Sequence, residues 1–119
     1  MTHYMNLHHG PFACIQSGQK TFELRLYDEK RRLIQVGDTL VFTNADDTAQ
    51  TCTVVVKALH LFPDFAALYA ALPLEKCGYL PDEVATASPE DMNVYYSAEQ
   101  QANYGVVGIE IARLEEDVQ

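Results

Sequence analysis

Three charged side chains that could carry chemistry lie in the short segment that runs from Gly18 to Arg25. Arg25 offers a planar fork of N–H donors that fits a phosphate, a carboxylate or the edge of a base. Lys20 supplies a point charge, or a nucleophile or base once it is desolvated. Glu23 can accept a hydrogen bond from an exocyclic amine or act as a general acid or base. The segment is therefore a candidate site for an anionic or base-bearing ligand.

The alternation of polar and apolar residues from position 20 to 27 predicts a strand. Glu23 and Arg25 are two residues apart and therefore share one face of this strand. Strict alternation places Lys20 on the opposite face, so the three charges converge only if the chain bends after Gly18. Charge chemistry alone favours an exposed ion pair between Glu23 and Arg25, and a functional cluster is the alternative. The apolar face carries Phe22, Leu24 and Leu26.

The charges of the chain are distributed unevenly. Its net charge is −9, yet five of the eight basic residues lie between positions 20 and 32, together with three acidic ones. That window carries a net charge of +2, and the remainder, with three basic and fourteen acidic residues, carries −11. One positive island on an acidic body suits a small anionic ligand or a short RNA, and it argues against binding of extended duplex DNA. Lys30, Arg31 and Arg32 taken alone are predicted to form a solvated turn.

The elements around the segment predict a small β-rich fold. Pro11 is placed for the first turn of a helix that ends near Ser17, with Gly18 as its stop. Long stretches of strand without intervening helices argue against a doubly wound parallel sheet. We therefore expect an α+β, mainly β fold, a small and mostly antiparallel β-barrel decorated by short helices. Strands are predicted at 3–7, 20–27, 39–43, 51–62 and 104–114, a turn at 36–38, and further helices from 64 to 73 and from 88 onward.

Length and composition predict one cytoplasmic domain that spans residues 1–119. No stretch approaches the roughly 20 apolar residues that cross a bilayer, and the first residues lack the basic start and apolar run of a secretory signal. Cys14, Cys52 and Cys77 are odd in number and widely spaced, which favours reduced and mostly buried thiols over a disulfide framework or a zinc site. We expect no metal and no cofactor.

Aromatic and polar residues elsewhere are secondary candidates for the site. Tyr95 and Tyr96 could stack on a base, or pack a helix against the barrel, and Ser97 on the same segment could place a hydroxyl in a cleft. The adjacent His8 and His9 are expected at the edge of a strand, because neighbouring histidines rarely bind one metal together. His60 lies in an apolar run and is expected to be a half-buried histidine with a partner.

The order of three motifs resembles that of the ASCH domain family, a branch of the PUA-like superfamily. Lys20, Glu23 and Arg25 follow the family signature G-x-K-x-x-E-x-R, which begins at Gly18. The turn at 36–38 with the strand after it, and the segment 104–109, are similar to the next element and the closing strand of the family. The resemblance covers about residues 3–114 and implies a PUA-like barrel with a cleft lined by the signature strand and a neighbouring helix.

The resemblance implies an RNA or nucleotide binder, with Lys20, Glu23, Arg25, Tyr96 and Ser97 as ligand-binding residues. Some relatives are amidohydrolases that act on N4-acetylcytidine, and others have been linked to ribonuclease activity. In the amidohydrolase branch the signature lysine works with a threonine and a later glutamate. Here Lys20 matches the lysine, Glu23 stands at the threonine position, and the later acid is open, with Glu90 nearest by context.

Three functions therefore follow from the sequence. The first is binding of RNA or of a small nucleoside or nucleotide by the Lys20 strand. The second is a small hydrolase of modified nucleosides or RNA in which Lys20 and Glu23 are catalytic. The third is a protein-interaction module that uses the acidic surface.

Overall fold

The computed structural model describes residues 1–114, and within them the chain forms five strands, three α-helices and four short 3₁₀ turns. The strands are β1 (Thr2–Leu7), β2 (Phe22–Leu26), β3 (Thr39–Asn44), β4 (Thr51–Phe62) and β5 (Val106–Arg113). The helices are α1 (His9–Gln16), α2 (Phe65–Ala71) and α3 (Ala98–Tyr104). The 3₁₀ turns are Arg31–Leu33, Leu74–Lys76, Val84–Thr86 and Pro89–Val94.

The five strands form one curled sheet in the order β1-β3-β4-β5-β2, which makes a half-barrel. β1 and β3 are parallel, whereas the other three pairs are antiparallel. The register between β4 and β5 shifts between Val56 and Ala58, and such a bulge bends a long strand. The predicted mainly β, mostly antiparallel fold with short helices is confirmed.

The concave face of the sheet holds the larger hydrophobic core, and α1 packs into it. Phe12 and Ile15 of α1 are fully buried against residues such as Leu40 and Phe42 of β3. Leu40 and Phe42 alternate with half-buried neighbours, as the pleat of a strand requires. Glu23 and Arg25 pair across β2 and β5 with core residues of this same face, namely Ile109 and Val107. The two charged side chains therefore point toward the inside of the half-barrel.

The outer face of β2 is covered as well, by α2 and the chain after it. Phe22, Leu24 and Leu26 are buried there together with Phe65 and Leu68 of α2. β2 is therefore buried on both faces although it is an edge strand. This arrangement requires the polar side chains on its inner face to find partners within the protein.

Basic side chains bridge the seam between the two edge strands, β1 and β2. Nη2 of Arg25 donates to the carbonyl oxygen of Asn6 at 3.3 Å, and Nζ of Lys30 donates to that of Tyr4 at 3.5 Å. Arg32 also donates, to the carbonyl oxygen of Tyr104 at 3.0 Å. The turn that contains Lys30 and Arg32 is thus not merely solvated, because its side chains satisfy backbone carbonyls.

The last strand starts later than the sequence predicts. Tyr104 ends α3 instead of opening β5, and Gly105 separates the two elements with a φ of 71° and a ψ of −176°. Only glycine adopts this backbone conformation readily. A Cβ on Gly105 would also lie 3.1 Å from the carbonyl oxygen of Phe62.

We predict that Gly105→Ala lowers the free energy of unfolding by about 2 kcal/mol, because alanine strains the backbone there. Gly10→Ala is the control, since a Cβ on Gly10 meets nothing within 4 Å and alanine favours a helix. Urea denaturation of both variants measures the difference. Equal free energies of unfolding for the two variants would contradict the requirement for glycine at position 105.

Asp38 ties the predicted turn at 36–38 to the start of β1. Its Oδ2 accepts from the backbone N–H of Gln35 at 3.0 Å and lies 2.8 Å from Nε2 of His3. The hydrogen bond with His3, followed by that with Gln35, lowers the pKa of Asp38 from 3.8 to about 2. The ionised carboxylate therefore stabilises the folded state more than the unfolded one.

We predict that Asp38→Asn is less stable than the wild type at neutral pH and that the gap closes in acid. Because the folded-state pKa is depressed, the contribution is complete above about pH 4 and is lost as the pH falls toward 2. Unfolding free energies between pH 6 and 2 check this dependence. A gap that stays constant over this range would show that ionisation of Asp38 is irrelevant.

Candidate functional site

The side chains of Lys20 and Arg25 converge on the buried carboxylate of Glu23. Nζ of Lys20 lies 2.7 Å from Oε1 of Glu23, and Nε of Arg25 donates to Oε2 at 2.6 Å. Glu23 is only 3% exposed. Glu23 and Arg25 form the expected ion pair, but the pair is buried and not exposed, because both faces of β2 are covered. The structure contains the three-residue cluster that was the alternative.

The bend that brings Lys20 into the cluster lies at the end of α1. Gly18 adopts a φ of 87° and its N–H donates to the carbonyl oxygen of Ile15 at 3.1 Å. The N–H of Lys20 then donates to Cys14 at 3.0 Å, and β2 starts only at Phe22. Lys20 is thus outside the strand, and the alternation of β2 does not apply to it.

The stem of Lys20 packs over Gly78, in the irregular chain after α2. A Cβ on Gly78 would lie 3.4 Å from Cδ of Lys20, so glycine leaves room for this side chain. The neighbouring N–H of Thr21 donates to the carbonyl oxygen of Lys76 at 2.8 Å. The chain around residues 76–78 therefore lies directly against the charged cluster.

The cluster is electrostatically coupled. Burial alone would raise the pKa of Glu23, but the charges of Lys20 and Arg25 outweigh it and lower that pKa below its usual 4.5. Burial would likewise lower the pKa of Arg25, and the Glu23 carboxylate raises it instead. Glu23 is thus an ionised carboxylate at neutral pH and not a proton donor. Two cations around one anion leave the cluster with one net positive charge.

The two oxygens of Glu23 contact different cations. Oε2 accepts from Nε of Arg25, whereas Oε1 lies 2.7 Å from Nζ of Lys20. The ammonium of Lys20 carries three N–H donors, and Oε1 needs only one of them. The other donors of Lys20 remain available for another acceptor.

A cavity of about 660 Å³ opens over this cluster. One wall comes from the end of β1 and the start of α1, and the opposite part comes from α2 and the long connection to α3. Four tyrosines contribute to the lining, and so do two acids besides Glu23, namely Glu83 and Asp91. The tyrosines are Tyr69, Tyr79, Tyr95 and Tyr96.

Two of these tyrosines form a hydrogen-bonded chain that ends on Asp91. The hydroxyl of Tyr79 donates to Oδ2 of Asp91 at 2.7 Å, and the hydroxyls of Tyr69 and Tyr79 are 2.8 Å apart. Oδ2 of Asp91 also accepts from the N–H of Ser88 at 3.1 Å. Burial and the neighbouring Asp91 raise the pKa of Tyr79, and the hydrogen bond from Tyr79 lowers the pKa of Asp91.

The structure places the predicted aromatic residues at the cavity and Ser97 away from its lining. Tyr96 stacks on Phe65 with ring centroids 5.9 Å apart, and Tyr95 is 64% exposed beside it. The Ser97 hydroxyl accepts from the N–H of Gln100 at 3.1 Å and caps α3. Ser97 and Glu90 are not among the residues that line the cavity.

The histidines and cysteines occupy supporting positions. His60 pairs with Glu110 at 2.9 Å, which confirms it as a half-buried residue with a partner, and His9 contacts the buried Asn44 at 3.1 Å. Burial raises the pKa of the Cys77 thiol to about 11, although Lys20 opposes this. Cys77 lines the cavity as a neutral thiol. Residues 1–114 contain no group of His, Cys, Asp and Glu that could hold a metal ion, and no helix long and apolar enough to cross a membrane.

Tyr69, Tyr79 and Asp91 line the candidate cavity, and the sequence did not reveal this. Tyr69 follows the apolar spacing of a helix and Asp91 follows the pattern of a helix cap, so each has an ordinary structural explanation. Their contacts join Tyr69 of α2 to Tyr79, 10 positions later, and Tyr79 to Asp91, another 12 positions later, in the irregular connection after α2. Only the tertiary structure shows these contacts.

Comparison with known proteins identifies the family of this chain. Residues 5–115 match the model of the ASCH domain, and the chain therefore belongs to the ASCH domain family. ASCH domains have a PUA-like fold, and this fold resembles that of RNA-binding domains in general. No curated protein matches the chain.

Several solved structures are similar to this chain, and three of them illustrate the range of similarity. The crystal structure of hypothetical protein PH0355 has 30% identity and a TM-score of 0.79, and the match covers 96% of this chain and all of that one. The solution structure of protein PF0455 from Pyrococcus furiosus has 34% identity and a TM-score of 0.72 over 97% of this chain and 99% of that one. The crystal structure of ASCH from Zymomonas mobilis, at 14% identity, shares the fold with a TM-score of 0.62 over 92% of this chain and 65% of that one.

We predict that Glu23→Gln lowers the free energy of unfolding at pH 7 by about 3 kcal/mol, because it leaves two largely buried cations without their anion. The gap is full above about pH 4.5 and narrows as the pH falls through the depressed pKa of Glu23, since the wild type then loses the same charge. Urea denaturation at several pH values provides the measurement. Glu29→Gln, at an exposed position, is the control. A Glu23→Gln variant as stable as Glu29→Gln would refute the coupling.

Proposed function

We propose that this ASCH domain binds a nucleoside, a nucleotide or a short single-stranded RNA in the cavity over Lys20, Glu23 and Arg25. The observation that carries the proposal is the pair of cations held by one buried carboxylate at the base of that cavity. Arg25 donates from Nε to Glu23 and from Nη2 to the carbonyl oxygen of Asn6, and its remaining guanidinium N–H groups are available to a ligand. Lys20 and Arg25 would bind a phosphate or a base carbonyl.

The size and lining of the cavity favour a single nucleotide unit. A volume of about 660 Å³ is in the range of small-molecule sites, which is roughly 300–1,000 Å³. Tyr95 and Tyr96 present aromatic rings at the cavity, and stacking on aromatic rings is a common way to hold an unpaired base. Cations and aromatic faces together match the two parts of a nucleotide.

The acidic surroundings favour a short ligand over a long nucleic acid. Glu83 and Asp91 line the cavity, and the chain carries a net charge of −9. A long phosphate backbone would approach these negative charges, whereas one nucleotide reaches the cations alone. The proposal therefore excludes extended duplex DNA.

We assign Glu23 to positioning Lys20 and Arg25. Its carboxylate is buried and ionised, so it is poorly suited to donate a proton. The same pairing holds the Lys20 amine against a negative charge, which disfavours attack by that amine. Binding is thus better supported than hydrolysis. Incubation with N4-acetylcytidine and with labelled RNA tests the hydrolase, and turnover abolished by Lys20→Ala would favour catalysis instead.

We predict that Arg25→Ala weakens binding of nucleoside monophosphates about tenfold or more, because it removes a charge-assisted contact from a largely buried site. Isothermal titration with adenosine and cytidine 5′-monophosphates and with short single-stranded RNAs measures the loss. Lys57→Ala is the matched control, because it also removes one positive charge but at an exposed position outside the cavity lining.

Circular dichroism and thermal melting verify that Arg25→Ala is folded before its affinity is compared. Equal affinities of Arg25→Ala and Lys57→Ala would contradict the proposed site. Binding of a protein partner to the acidic surface, with equal affinity for both variants, would support the protein-interaction module instead.

A further inference from the structure

The protons in the chain of Tyr69, Tyr79 and Asp91 can be assigned from the distances. The Asp91 carboxylate only accepts, so the hydroxyl proton of Tyr79 points to it across 2.7 Å. A tyrosine has a single hydroxyl proton, and the 2.8 Å contact with Tyr69 must therefore be donated by Tyr69. The raised pKa of Tyr79 and the lowered pKa of Asp91 agree with this assignment.

Both hydroxyl protons are thus committed within the protein. The oxygens of Tyr69 and Tyr79 retain lone pairs, so these two side chains can offer the cavity acceptors but no donors. Lys20 and Arg25, by contrast, offer donors and no acceptors. Tyr79 follows Gly78, which packs on Lys20, so the accepting and the donating groups belong to the same part of the cavity.

We propose that Tyr79, oriented by Asp91, is a specificity-determining residue that selects ligands with an exocyclic amine. The amine would donate to the Tyr79 oxygen while Lys20 and Arg25 bind a phosphate or carbonyl of the same ligand. The Tyr79 oxygen accepts one hydrogen bond from Tyr69 and keeps one lone pair, and it is the more accessible of the two oxygens because Tyr79 is half-buried, whereas Tyr69 is buried. This inference rests on the proposed nucleotide-binding function.

Two pairs of nucleoside monophosphates that differ only in the amine test the inference. Adenosine is compared with purine riboside, and cytidine with pyrimidin-2-one riboside, each as the 5′-monophosphate in isothermal titration. We expect the wild type to prefer at least one amine-bearing member about fivefold to tenfold, the value of one hydrogen bond in a partly buried site. Tyr79→Phe keeps the ring, and we expect it to abolish that preference.

Tyr4→Phe is the control, because it removes a tyrosine hydroxyl from an exposed side chain outside the cavity lining and is expected to keep the preference. Asp91→Ala frees the Tyr79 proton for donation, so the preference for the amine should fall. Ser88→Ala controls for loss of the turn cap to which Asp91 also contributes.

Each outcome decides between the two proposals. If the wild type binds both members of each pair equally, or if Tyr79→Phe retains the preference of the wild type, this inference is overturned and the proposed function stands. If the wild type binds none of the four nucleotides and no short RNA, the proposed function fails and this inference fails with it. A preference lost in Tyr79→Phe and kept in Tyr4→Phe supports it.

Discussion

The buried Glu23 carboxylate is the constraint on which the rest of the site depends. An isolated ionised carboxylate in a protein interior is costly, and it persists here because Lys20 and Arg25 approach it from two directions. Each cation is in turn tied to another part of the fold. Arg25 reaches the carbonyl oxygen of Asn6 across the seam of the half-barrel, and Lys20 packs over Gly78. One anion therefore links β2 to β1, to the end of α1 and to the chain after α2.

This linkage explains how an irregular connection can form a defined cavity wall. The chain between α2 and α3 contains three of the four 3₁₀ turns and no strand within the described residues. Its backbone is held at Lys76 by the N–H of Thr21, and its side chains are held by the hydrogen bonds from Tyr69 through Tyr79 to Asp91. The wall is thus fixed to the charged cluster at one end and to α2 at the other.

Much of the fold could be predicted from the sequence because its signals are local. A long run of β-branched residues places β4 at the predicted residues, and the glycine after α1 marks the bend that Lys20 needs. The burial of Glu23 could not be predicted, since it depends on distant parts of the chain that meet at the inner face of β2, namely Asn6 of β1 beside Arg25 and Gly78 beside Lys20. The contact between Tyr79 and Asp91 could not be predicted for the same reason. The sequence pattern also assigns Tyr104 to the last strand, although Tyr104 ends α3.

The central claim is that ligands enter the cavity over Glu23, and nuclear magnetic resonance tests it most directly. Cytidine or adenosine 5′-monophosphate is titrated into ¹⁵N-labelled protein, and the perturbed amide and arginine Nε–H signals are mapped. The account predicts shifts at residues 20–25, at 78–80 and at Tyr95 and Tyr96, with the Nε–H signal of Arg25 among them. Shifts confined to the exposed turn at 30–32 or to the acidic surface, with residues 20–25 unchanged, would contradict it.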